Sequence, residues 1–181
     1  MKNAAFDDFV KSQQLPLEPA VDWNQVRNEW LLRLEELYTK IGEFLASYIE
    51  AGQIQIETQI VQLQEENIGS YPAKQLTVKI GRKQVQLRPV GTLLIGSKGR
   101  VDVVGPMGTS VPILLIHSKA KRASDMIRVT VSLSGKPPEV PRQEPSEIKW
   151  EWKMITRPPE RRFVELTQET FFEMIMEVAN G

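Results

Sequence analysis

A chain of 181 residues, 41% apolar, with 23 basic and 23 acidic side chains, one histidine and no cysteine, has the make-up of one ordinary globular domain. Without cysteine there is no disulfide, thiolate nucleophile, cysteine-held zinc or iron–sulfur cluster, and one histidine excludes a two-histidine metal site. No cofactor or metal is expected, residues 1–181 are expected to form a single domain, and function must be sought in how charge and apolarity are distributed.

The first ten residues carry Asp7 and Asp8 and lack the basic start and apolar run of an export signal. No window approaches the roughly 18 consecutive apolar residues that a membrane span needs. The sequence therefore reads as cytoplasmic, with no membrane partner. Residues 1–20 are expected as a flexible or short-helical segment, its helical stretch at Phe6 to Val10 ended by Pro16 and Pro19.

The first strong element follows. Asp22 can cap a helix, with Gln25 three residues on in the capping-box position, and Trp23, Val26, Trp30, Leu34, Leu37, Ile41, Phe44 and Tyr48 recur at spacings of three and four. That predicts an amphipathic helix to about Ala51, stopped by Gly52. The same positions fit a heptad seam, so a homodimer through helix 22–51 is the competing use of the stripe. Leu31, Tyr38, Leu45 and Ile49 widen it beyond a narrow seam, which favours a helix lying across a sheet.

From residue 53 to residue 133 the period changes to two and turn residues punctuate the chain, the signature of an antiparallel meander. Ile54, Ile56 and Ile60 share a face, and the phase slips at Val61 and Leu63, where a bulge is expected. Leu76, Val78 and Ile80 lead through Gly81 and Arg82 into Val85 and Leu87 as a hairpin. Further strands are expected at residues 92–95, 100–104, 111–116 and 127–133. Four prolines between Pro137 and Pro145 make residues 135–146 an extended connection. After it Ile148, Trp150, Trp152 and Met154 alternate with charged residues and re-enter the sheet. The chain ends in a helix capped by Thr167, with Leu166 and Phe171 as a hydrophobic staple. The expected fold is α+β: a long N-terminal helix, an antiparallel meander of seven or eight strands, and a C-terminal helix.

Motifs that carry chemistry are few. Gly91 to Lys98 has the glycine spacing of a phosphate loop but ends Ser97-Lys98, in the wrong order, and its Leu93, Leu94 and Ile95 belong in a strand. Asp102 with Glu147, Lys149, Glu151 and Lys153 resembles the carboxylate-and-lysine set of metal-dependent nucleases. Strict alternation from Glu147 to Met154 is explained equally by one solvated strand face. His117 and Ser118 are adjacent and so point across a strand in opposite directions, which makes His117 a strand-end residue.

Charge is the most informative feature. Residues 1–71 hold 5 basic and 12 acidic side chains, residues 72–136 hold 12 and 2, and residues 137–181 hold 6 and 9. A neutral total thus conceals a basic sheet between acidic helices. Either the helices neutralise the sheet within the fold, or the basic side chains face a partner. In the second case Lys98, Arg100, Lys119, Lys121, Arg122 and Arg128 are the candidate partner-binding residues, with Lys119, Lys121 and Arg122 the densest group. Apolarity on both faces of 92–95 and 113–116 adds that, with both helices on one side, a Leu/Ile patch would lie open on the other. The expected function is a non-catalytic protein-binding module of the bacterial cytoplasmic kind, an adaptor, assembly subunit or inhibitor, whose partner is another protein. The alternative is nucleic-acid binding through the basic segment 72–136, with nuclease activity from the Asp102 set.

Overall fold

The computed structural model describes residues 21–92, 96–122, 149–156 and 161–181. Within them the chain runs α1 (Trp23–Glu50), β1 (Ile54–Glu65), β2 (Gly69–Ile80), β3 (Lys83–Gly91), β4 (Ser97–Val104), β5 (Ser110–His117), β6 (Trp150–Ile155), β7 (Phe163–Glu165) and α2 (Gln168–Asn180). The seven strands form one sheet in sequence order, each antiparallel to the next. The fold is α+β, as the periodicity indicates. The expected strand at 127–133, the connection at 135–146 and the N-terminal segment 1–20 lie outside the described residues.

Both helices start and stop where side-chain chemistry lets them. The Asp22 carboxylate accepts from the backbone N–H of Asn24 at 3.0 Å and Gln25 at 3.1 Å, satisfying donors that have no partner inside the helix. At the other end Gly52, with φ 70°, turns the chain off the axis. α2 opens on a capping box between Thr167 and Thr170.

The register places Leu76, Val78, Val85, Leu87, Val101, Val103, Ile113 and Met154 on one face of the sheet. These residues share a core with Trp30, Leu34, Leu37 and Ile41 of α1 and Phe171, Met174, Ile175 and Val178 of α2. Both helices therefore cover the same face. The stripe that also reads as a heptad seam is buried there: Leu37 and Ile41 are wholly inaccessible. A helix-to-helix homodimer through 22–51 would have to open the core. Approach is close enough to demand glycine, since a Cβ on Gly105 would meet the Val178 carbonyl oxygen at 1.7 Å.

Four expectations need correction. No bulge interrupts β1, because pairing is continuous from Ile54↔Ile80 to Glu65↔Gly69. The buried side nevertheless changes, from Ile54 and Ile56 to Val61, Leu63 and Glu65. β2 pairs with β3 only from Leu76 to Ile80, so the far half of β1–β2 is a two-stranded ribbon. Such ribbons twist more strongly, which turns the other face toward the core. Second, β3 ends at Gly91 after a register shift at Pro89/Gly91, and Thr92 has left the strand; residues 93–95 lie outside the described residues. Third, the opposite sheet face does not expose its Leu/Ile patch. Leu114 and Ile116 are 8% and 0% exposed and cluster with Ala120, with Phe163 packed alongside. Fourth, β7 carries no pattern that marks it in the sequence, for three residues hold no period.

The tip of the ribbon is pinned by a buried acid. Glu65 is 7% exposed and accepts from the Tyr71 hydroxyl, from the Thr92 backbone N–H at 2.9 Å and from the Thr92 hydroxyl at 2.7 Å. Burial, then the bond to Glu65 and its charge, push the Tyr71 phenol well above its usual range. Burial also raises Tyr38, with the charge of Glu35 adding to it; the Tyr38 hydroxyl donates to the Lys74 carbonyl at 2.8 Å.

Candidate functional site

Among the described residues, the members of the nuclease-like set do not come together. Asp102 is held by its neighbour Arg100, Nε to Oδ1 at 2.6 Å and Nη2 to Oδ2 at 3.0 Å. Register places Asp102 opposite Pro112 on β5, and Glu151 opposite Ile116. The two acids are thus two strands and four residues apart, about 16 Å at ordinary strand spacings. No single metal ion bridges that distance. Glu151 pairs with Lys149 at 3.2 Å, and Glu147 lies outside the described residues. Among the described residues no three acidic or histidine side chains are grouped to hold a metal.

Lys153 has a structural task. It is only 9% exposed, and its ammonium donates to the carbonyls of Ser118 at 2.6 Å and Ala120 at 3.2 Å. A buried cation must be matched by acceptors, and these two carbonyls fix the turn after β5 against β6. The His117 Nδ1 accepts from the Lys119 backbone N–H at 3.1 Å, and its ring meets Trp150 edge-on with centroids 6.4 Å apart. His117 therefore shapes the same turn.

Of the six candidate partner-binding residues, Lys98 and Arg100 form ion pairs with described neighbours. Lys98 pairs with Glu29 of α1 at 3.0 Å and lies over the Trp150 ring at 4.9 Å; Arg100 pairs with Asp102. The Lys98–Glu29 pair and Lys74–Glu35 at 2.7 Å show acidic α1 neutralising part of the basic sheet. Arg128 lies outside the described residues. Lys119, Lys121 and Arg122 are exposed on the Lys153-anchored turn.

Sequence reasoning missed what lies next to them. Arg122 forms an antiparallel bridge with Arg162, and the Phe163 N–H donates to the Lys121 carbonyl at 2.9 Å. Residues 119–122 and 161–162, some forty positions apart, thus meet at the β7 end of the sheet, bringing exposed Arg161 and Arg162 beside the turn cations. The pair Arg161-Arg162 is visible in the sequence; the strand that aligns it is not. Like charges directly opposite on paired strands repel.

Beside this region β5, β6, β7 and α2 line an open groove of about 270 Å³, apolar at Val111, Met154, Val164 and Met174 and rimmed by Glu173 and Glu177. No helix among the described residues is long and apolar enough to cross a membrane. No protein-family model, curated protein or solved structure matched the chain.

Proposed function

We propose that the chain is a non-catalytic protein-binding module that docks an acidic surface of another protein on the cations of the 119–122 turn and Arg161–Arg162. The observation that carries this reading is the Arg122–Arg162 bridge, which gathers exposed positive side chains from two distant segments. The turn is held by Lys153 and the strand contact, so its cations are presented on a fixed backbone. A preorganised charged patch raises the encounter rate with an oppositely charged partner and suppresses wrong ones. Lys98 and Arg100, both already ion-paired within the fold and half-exposed, serve as secondary contacts.

The test is capture from host extract at low salt by the wild-type chain and by a Lys119→Ala/Lys121→Ala/Arg122→Ala variant, each with and without nuclease treatment. A protein retained by the wild type, released by salt, absent with the variant and indifferent to nuclease is the expected result. Capture that disappears on nuclease treatment would transfer the patch to nucleic acid, whose phosphates give the same salt dependence. Equal capture by wild type and variant would remove the patch from the function altogether.

A further inference from the structure

Among the described residues β1 is an outer strand of the sheet, twelve residues long, with no proline, lysine or arginine in Ile54–Glu65 and no break in its register. Proteins ordinarily blunt such edges with short length, positive charge, proline or a bulge, and β1 has none of these. Ile60, near its middle, is 62% exposed. The outward polar groups can be counted from the next hairpin. Gly81 and Arg82 form a two-residue turn closing on Ile80↔Lys83, which makes that a hydrogen-bonded pair. Alternation carried across β2 then directs the N–H and C=O of Ile56, Thr58, Ile60, Gln62 and Gln64 away from β2. Among the described residues no hydrogen bond to these backbone groups is found.

We propose that this edge pairs with β1 of a second copy of the chain, antiparallel about a two-fold axis at Ile60, joining the two sheets into one. This goes beyond the partner-docking reading and uses the opposite end of the sheet. The neutralised edge and its exposed central Ile60 fit a second copy. The only charges on β1 are Glu57, paired with Lys79 at 2.5 Å, and Glu65, buried against Tyr71 and Thr92, so neither repels a second copy laid beside the strand. With the axis at Ile60, Glu57 faces Leu63 and Glu65 faces Gln55 of the other copy, and Ile60 faces Ile60. An axis one residue further on, at Val61, would set the exposed Ile60 against Gln62 and leave it without an apolar mate. Pairing with itself also closes both exposed edges in one isologous contact.

Absence of native cysteine makes the test direct. Ile60→Cys supplies the only thiol, and across a hydrogen-bonded antiparallel pair its Cα lies about 5.5 Å from its mate, within disulfide reach. Mild oxidation of the full chain should link most of it as dimer, whereas Met107→Cys, on a turn 79% exposed, should link only by slow collision. Light scattering over a concentration series should show the wild type as dimer, and Ile60→Lys should raise its dissociation constant at least tenfold with an unchanged circular dichroism spectrum. Equal linking at the two positions, a wild type that is monomeric throughout, or a dimer indifferent to Ile60→Lys would each overturn the proposal.

Discussion

At one end of the sheet β7 is three residues long, preceded by Arg161 and Arg162 and bridged to a turn bearing three more cations. At the other, β1 runs twelve residues with two glutamates as its only charges. The β1 edge leaves backbone groups that would pair with a strand brought near, whereas at β7 the Phe163 N–H donates to the Lys121 carbonyl and the Glu165 carbonyl accepts from the Thr170 hydroxyl, and that end also carries the guards of brevity and positive charge. The molecule's basic segment is thus unevenly used. Lys74 and Lys98 are ion-paired to α1, while the exposed cations of the turn collect where the sheet is narrowest. Charge placed on an edge both prevents strand pairing and steers an acidic partner; an uncharged edge leaves strand pairing open. The two proposals thus give the two ends of one fold different kinds of contact.

Both ends depend on a single core, and the largest expected effect is its loss. Leu34 is 1% exposed beneath α1, and Leu34→Asp would bury an unpaired charge there. We expect a loss of more than about 4 kcal/mol, seen as absence of a cooperative urea transition. A variant that still melts cooperatively, with one end protected from hydrogen exchange, would show that the ends fold separately.

Next in size is a change confined to the β1 end. Glu65→Ala would leave the Tyr71 hydroxyl and the Thr92 N–H and hydroxyl buried without their acceptor, at a cost of about 2–4 kcal/mol in urea denaturation. Glu65→Gln, which retains one acceptor oxygen, should lose less. Hydrogen exchange should accelerate in the ribbon of β1 and β2 while β6 and β7 keep their protection. Equal acceleration at both ends would contradict the local role of the pin.

What is legible in the sequence follows the same division. Long patterned elements declare themselves: α1 through its threefold and fourfold spacings and the Asp22 cap, β4 through alternation, β5 through its continuous apolar run, α2 through Thr167 and its staple. A change of buried face is visible at Val61 and Leu63, but its cause is not. An inserted residue and a strongly twisted ribbon leave the same trace in one strand, and only the partner's register separates them. Glu65 looks like one more exposed acid, since its three donors come from Tyr71 and Thr92. Lys153 reads as part of a solvated face because the carbonyls that bury it belong to a turn. The candidate site is half legible: the run at 119–122 is dense in sequence, whereas its alignment with Arg162 depends on a bridge that no local pattern encodes.

The titration of two tyrosines sharpens the comparison further, because both sit on the β1–β2 side. Tyr38 and Tyr71 hold their protons in the folded chain to higher pH than an unfolded phenol does. Folding is therefore favoured by proton retention below the ordinary phenol value of about 10, and that contribution is lost as pH rises from there. Urea midpoints should be flat between pH 7 and about 9 and fall above about 10. Tyr38→Phe should flatten part of that fall, after losing about 1 kcal/mol at neutral pH with the bond to the Lys74 carbonyl. An alkaline slope unchanged by Tyr38→Phe would place the titrating group elsewhere.

The smallest effect on stability is expected where the charge is densest. Lys119, Lys121 and Arg122 are exposed on a turn held by Lys153 and by the backbone bond from Phe163 to Lys121. Neither of those two anchors uses the three cationic heads. Exposed charges contribute little to folding because water screens them and holding long side chains still costs entropy. Changing all three to alanine should therefore shift the urea free energy by less than about 1 kcal/mol in total. Relief of repulsion around the Arg122–Arg162 bridge offsets any favourable interaction that the truncation removes. Association with the acidic partner should weaken chiefly through a slower on-rate, and raising salt on the wild type should reproduce that slowing, as expected for steering at a distance. The self-association proposed for β1 should be untouched by the triple change, because the cations lie at the other end of the sheet. A melting temperature that collapses in the triple variant would instead make these cations part of what holds β7 to the sheet.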